Sequence, residues 1–285
     1  MIEALFNYQF LRNALFSGLL ASVVCGVIGV VVIEKKLVMM SGGIAHTAYG
    51  GVGLGYLLGI EPIIGAFLFA VLAGVGIGAI KRKGGAGADV VIGLFWSLGM
   101  ALGIFFIALM PGYPPDMNSY LFGNILSVTR ADLWLIAVLT LVVTFVIVCF
   151  YHDWKAYLFD EEFAAIIGIK TTFLEYLLLV LVAMTIVVMI RVVGIILVMA
   201  LLTAPAATAG LLTASLKRRM VYAIIFGALY CTVGLWLSYT FNVASGAAIV
   251  MFSAAGYFFT YAAHTLAGRL PAHGVHAEEN PAKIK

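Results

Sequence analysis

Nine long apolar runs, parted by short stretches where the charges cluster, constrain this chain more than any other feature. They cover roughly residues 13–33, 37–59, 62–80, 89–110, 132–150, 173–190, 192–213, 220–240 and 245–266. Each is near the length of about 20 residues that an α-helix needs to cross a hydrocarbon core of about 30 Å. In that core every backbone polar group must be satisfied within its own segment, so the runs are expected to be helices. The alternating ten-residue segments of a transmembrane β-barrel are absent. Only 10% of the 285 residues are charged, against about 25% in soluble domains. The expected fold is therefore all-α, a polytopic integral membrane protein of about nine transmembrane helices. The number falls to eight if 173–190 and 192–213, parted only by Arg191, form one bent span.

Charge placement orients such a chain, because basic loops stay on the cytoplasmic side. With nine spans, one set of loops holds Lys35–Lys36, Lys81–Arg82–Lys83, Lys155 with Lys170, Lys217–Arg218–Arg219 and Arg269. The other set holds Arg12, Arg130 and Arg191. The N-terminus is expected outside and the C-terminus in the cytoplasm; merging the sixth and seventh runs would put the Lys217–Arg219 cluster outside. The first run is followed by Glu34, Lys35 and Lys36 rather than a cleavage pattern, so it reads as a retained span. Residues 1–268 read as a single transmembrane domain. The polar tail 269–285 is expected to be disordered and cytoplasmic, with His273 and His276 as weak metal candidates. Cys25, Cys149 and Cys231 stand alone in apolar runs and read as small packing residues. Gly51, Gly55 and Gly59, four apart, and Gly74 with Gly78 offer bare faces for close helix packing.

Chemistry in a bilayer is sought at its ionisable groups, which are costly there. The thirteen carboxylates all fall in loops or at span ends. That counts against a carrier driven by protons or sodium, though unwound backbone also binds sodium. His46 is different: it lies near the middle of 37–59, with Gly42 and Gly50 four residues to either side on one face. Its imidazole could bind a metal ion or carry a proton, or it could be a neutral packing group bonded to a neighbouring helix. Arg191, at an external boundary, is expected to reach for water. Pro205 interrupts the seventh run and frees one carbonyl, giving either a structural kink or a hinge on a pathway. The internal loop 151–172 contains a short amphipathic helix opened by Asp160, Glu161 and Glu162, with Gly168 as its stop. The external segment 119–128 is apolar enough to lie at the membrane or dip into it. No GxxxxGK[ST], HExxH or GxSxG motif occurs, so neither a nucleotide-driven motor nor an intramembrane enzyme is encoded.

Four stretches, in order and spacing, resemble one family: SGGIAHTAYGGVGLGYLLG (41–59), SYLFGNILSVTRADL (119–133), DEEFAAIIGIK (160–170) and VVGIILVMALLTAPAATAG (192–210). SGAAIVMFSAAGYF (245–258) adds a fifth. Over about residues 11–266 the chain is similar to the permease subunits of bacterial ABC importers for zinc, manganese and iron. The resemblance implies a non-catalytic subunit in the bacterial plasma (inner) membrane. It implies a second copy of the permease, two separate ATPase subunits at the cytoplasmic face, and an extracytoplasmic metal-binding protein. No permanent cofactor is implied; the divalent ion is the transported substrate. Asp160, Glu161, Glu162, Phe163, Ala164 and Gly168 would form the element that docks on the ATPase, and His46 would face the ion. Family members often carry an aspartate four residues before this histidine, giving an Asp/His pair on one face that suits Mn, Zn or Fe. Here that residue is Gly42, which keeps open a related permease for a metal chelate or other small solute. A standalone secondary carrier is the more distant alternative.

Overall fold

The computed structural model describes residues 7–82, 87–113, 118–123 and 125–269. The tail histidines therefore lie outside the described residues. The described residues are helical, with no strand among them. In chain order the helices are α1 (Gln9–Glu34), α2 (Val38–Leu58), α3 (Pro62–Arg82), α4 (Ala88–Ala108), α5 (Asn118–Phe122), α6 (Arg130–Cys149), α7 (Tyr151–Phe159), α8 (Glu161–Ile166), α9 (Thr171–Leu212), α10 (Leu216–Phe241) and α11 (Ser245–Arg269), with a 3-10 turn at Ile125–Ser127. Seven helices are long and apolar enough to cross a membrane. α2 equals α3 in length at 21 residues, but His46, its tyrosines and its glycines dilute its hydropathy, and it is not among the seven.

The 42-residue α9 is not one rod. Gly194 has φ 79° and ψ 161°, a conformation that breaks the helix and that side chains other than hydrogen do not tolerate. The ends of α9 meet at one end of the bundle. Its start is tied by Arg82, which pairs with Glu175 and donates to Thr172 at 2.7 Å. Past its far end, Arg219 pairs with Glu34 and donates to the Thr213 carbonyl at 2.7 Å. Its middle lies at the opposite end, where Arg191 binds Glu61 at 2.7 Å and Asp132 at 2.9 Å. Arg191 is thus held by two carboxylates, whereas the sequence pointed only to a side chain reaching for water. The break at Gly194 packs backbone to backbone on Gly123, and Ile125 and Val128 are buried beside it. The 119–128 segment is therefore folded onto this end of the bundle.

With no hydrophobic gradient between lipid and protein, helices associate through close packing of small residues. α2 does so on two sides. Gly51 meets Gly65 and Gly55 meets Pro62 on α3. On the other side a Cβ on Gly50 would lie 2.7 Å from the Gly99 carbonyl oxygen, and one on Gly53 would lie 2.6 Å from that of Gly103, both on α4. Gly59 has another role: it ends α2 in a left-handed turn, with the Ile60 amide donating to Gly55. Gly74 and Gly78 face Leu179 of α9. Of the seven helices long and apolar enough to cross a membrane, α1 and α9 are the most enclosed, while α4 and α11 present the barest faces. Cys25 and Cys231 are buried, as packing residues should be; Cys149 is exposed.

Candidate functional site

His46 sits near the midpoint of α2, and the packing of α2 on α4 decides what it meets. Gly42 and His46 are one helical turn apart on α2; Trp96 and Met100 are one turn apart on α4. The two faces interlock. The imidazole stacks on the Trp96 indole, with ring centroids 4.1 Å apart and planes 15° apart. Its Nδ1 lies 3.2 Å from Met100 Sδ. The indole continues across Gly42: a Cβ built there would stand 2.7 Å from Trp96 Cζ3 and 3.5 Å from Met199 Cε. Next to His46, the Thr47 hydroxyl is within 3.0 Å of the Phe95 carbonyl and 2.7 Å of that of Gly43, which locks the two helices in register. His46, Trp96, Met100 and Met199 are all half-buried. No group of three or more His, Cys, Asp or Glu side chains able to share an ion occurs among the described residues.

The internal loop forms two helices rather than one. Trp154 and Tyr157 of α7 are fully buried and anchor it to the bundle. Asp160 is the N-cap of α8 and accepts from the Phe163 amide at 3.0 Å. α8 closes as a Schellman motif, the Ile169 amide donating to Ala164 and the Gly168 amide to Ala165. Gly168 has φ 90°, as a left-handed stop requires. Glu161 is paired with Lys35 of the α1–α2 link at 2.7 Å, and Lys35 also sits 3.5 Å over the Tyr157 ring. Burial, then Glu161 and Glu175, push the Tyr157 phenol above its ordinary range. The ring therefore stays neutral and its face attracts the ammonium. Ala164 is fully buried and seats α8; Glu162, Phe163, Ile166 and Ile167 face outward, with Phe159 at 91% exposed.

Of the residues singled out from sequence, Asp160 to Ala164 and Gly168 come together at the end of the bundle that also holds Lys35 and Arg219. His46 lies apart from them. Pro205 is buried in a run whose backbone stays helical; the non-helical residue is Gly194, eleven residues earlier. Trp96, Met100 and Met199 were not singled out. Their only signal was their type, a large aromatic and two thioethers on neighbouring apolar runs.

Comparison with known proteins places the chain among membrane transport subunits. The ABC 3 transport family matches residues 7–264. An uncharacterized membrane protein of Synechocystis sp. is 40% identical, covering 92% of this chain and 93% of its own length. The manganese transport system membrane protein MntC of Listeria monocytogenes is 36% identical over 91% of this chain and 92% of its own. Among solved structures, PsaBC from Streptococcus pneumoniae in complex with Fab superposes with a TM-score of 0.83 at 34% identity, covering 91% of this chain and 94% of that one.

Proposed function

The chain belongs to the ABC 3 transport family, and on that premise we propose that it is the permease subunit of an ATP-driven importer that carries a divalent metal ion, manganese, zinc or iron, into the cytoplasm by alternating access. The observation that carries this reading is the match of nearly the whole chain to a manganese permease, together with a mid-helix imidazole on a partly exposed face. The chain is a multi-pass membrane protein. The subunit does no chemistry of its own; a separate ATPase supplies the energy.

Partial exposure of His46 argues for a second copy. An imidazole open to lipid is costly, and α4, which covers His46, has one of the barest apolar faces in the bundle. A second permease packed against this side would enclose the patch and place two His46 side chains along one pathway. Two ATPases on the cytoplasmic side and an extracytoplasmic metal-binding protein complete the assembly.

The chain is read as nine crossings: α1, α2, α3, α4, α6, the two arms of α9, α10 and α11. Ion pairs support alternation, since Glu34, Lys35, Arg82, Glu161, Glu175 and Arg219 meet at one end while Glu61, Asp132 and Arg191 meet at the other. The first end is the more basic and is assigned to the cytoplasm. With that assignment the N-terminus is read as outside and 160–168 as the ATPase dock. Motion of α8 would pass to the α1–α2 link through Glu161 and Lys35, and so to the helix that bears His46. Pro205, whose ring leaves the Leu201 carbonyl without its helical donor, is assigned as the flexing point of the arm of α9 that follows Gly194.

Uptake by the reconstituted complex tests this. Permease, ATPase and binding protein in proteoliposomes loaded with ATP are expected to accumulate radiolabelled manganese, zinc or iron, and to stop without ATP. Uptake that needs neither ATP nor the partner subunits would overturn the reading. His46→Ala is expected to abolish uptake at limiting metal while the ATPase still co-purifies.

A further inference from the structure

The missing carboxylate leaves a question of chemistry: what stands beside His46 in its place. The space at Gly42 is taken by Trp96, so no oxygen ligand is supplied from that turn of α2. What the fold supplies instead is sulfur. Met100 Sδ lies 3.2 Å from His46 Nδ1. The methyl of Met199, on the arm of α9 that follows Gly194, borders the same notch at 3.5 Å from a Gly42 Cβ. Stacking on Trp96 fixes the plane of the imidazole, and so the direction in which Nδ1 points.

From this geometry we infer that the ion site of this chain is a histidine–thioether site, with Met100 as the residue that selects thiophilic ions over manganese. This rests on the reading of the chain as a metal permease and specifies the class of ion. One ion can reach both atoms after a small shift. A tetrahedral ion about 2.0–2.1 Å from nitrogen and about 2.3 Å or more from sulfur holds them about 3.6 Å or more apart, so the thioether must back off from its 3.2 Å contact by some tenths of an ångström. An unbranched methionine side chain allows that. Met199, unbranched with three rotatable bonds, can swing its sulfur to the same notch.

The selectivity follows from charge and polarizability. Manganese favours carboxylate, carbonyl and water oxygens, and it is the weakest binder of the first-row series. A His–Met pair offers it no negative charge to offset lost hydration. Zinc, and more so the softer cadmium, gain from the polarizable sulfur. The same neutrality keeps binding weak, as a transport site requires if the ion is to leave.

The test reads metal binding on the purified permease–ATPase complex without its binding protein, and uptake on the complete complex, where comparing Met100→Leu with wild type under the same binding protein isolates the membrane site. Cadmium is the probe, in X-ray absorption of the loaded complex and in competition with manganese for ATP-driven uptake. Wild type is expected to show a sulfur scatterer and to prefer cadmium. Met100→Leu should lose the sulfur signal and reduce the preference about tenfold, while Met199→Leu has a smaller effect. His46→Ala, as the control, should remove the site altogether. A cadmium shell of nitrogen and oxygen only in wild type, with preference unchanged in Met100→Leu, would overturn the inference and leave the permease reading standing. A wild-type complex that neither binds nor carries any metal ion would overturn that reading instead.

Discussion

Trp96 occupies the volume that any side chain at Gly42 would need: a Cβ there would lie 2.7 Å from the indole Cζ3. The glycine and the tryptophan are therefore one feature, and restoring an aspartate at 42 alone is expected to fail. Overpacking costs about 1–3 kcal/mol, and an unpaired carboxylate in mid-membrane adds about 2.5–3.5 kcal/mol. Gly42→Asp should lower the thermal midpoint of the detergent-purified permease sharply. Gly42→Asp with Trp96→Ala should recover much of the steric part of that loss. Additive midpoint shifts in the two single variants and the double would show that the residues do not compete for the same space.

Gly194 and Pro205 separate by stability. At Gly194 an added Cβ would run into the Gly123 backbone, and the φ/ψ pair itself costs a larger residue about 1–3 kcal/mol. Gly194→Ala is expected to abolish the folded permease or shift its melting by many degrees. Pro205 lies in unbroken helix, where alanine is the better helix former. Pro205→Ala should melt at or above wild type. If flexing there matters, it should still slow uptake, and normal uptake would remove Pro205 from the mechanism.

The Arg191 cluster contains one strong arm and one weak one. The Asp132 side chain is only 12% exposed and also closes the capping box with Thr129, accepting from its amide and hydroxyl. Losing a largely buried charged bond of this kind costs about 1.5–3 kcal/mol. The Glu61 side chain is 57% exposed, and a surface pair of this type contributes about 0.2–1 kcal/mol. Asp132→Ala is expected to lower the melting midpoint several times more than Glu61→Ala. Equal shifts would mean that the cap and the buried bond contribute nothing beyond the surface pair.

The helices were legible in the sequence because the bilayer acts on each segment separately. A run such as 62–80 needs only its own hydropathy to become Pro62–Arg82, and 132–150 to become Arg130–Cys149. Gly168 was legible for a similar reason, since a glycine after a short amphipathic stretch is a local signal. The pairings were not. Trp96 meets residues some fifty positions away, and Lys35 meets Glu161 at a separation of 126. No periodicity encodes which glycine receives which ring. Gly194 was hidden because VVGIIL reads as continuous apolar helix; only its contact with Gly123 reveals the bend. The same limit hid the contact at His46: the histidine stood out as the polar residue in an apolar run, while Met100, 3.2 Å from its Nδ1, looked like any other apolar residue.

The docking surface proposed on α8 divides residues that the sequence grouped together. Glu161 is engaged within the chain by Lys35, and Ala164 is buried beneath the helix. What remains outward is an apolar patch of Phe163 and Ile166, 54% and 82% exposed, with Glu162 at its edge. Apolar anchors at the centre of an interface often carry about 2 kcal/mol or more each, or roughly 30-fold in affinity. Phe163→Asp and Ile166→Asp are each expected to weaken co-purification of the ATPase by at least that factor, with the melting midpoint unchanged. Glu161→Gln should weaken it far less, because its partner is Lys35. It should instead lower the uptake obtained per ATP hydrolysed, since the link from α8 to the α1–α2 turn is cut. Wild-type co-purification in both aspartate variants would mean that the ATPase grips another surface. Wild-type transport coupling in Glu161→Gln would mean that Lys35 transmits nothing.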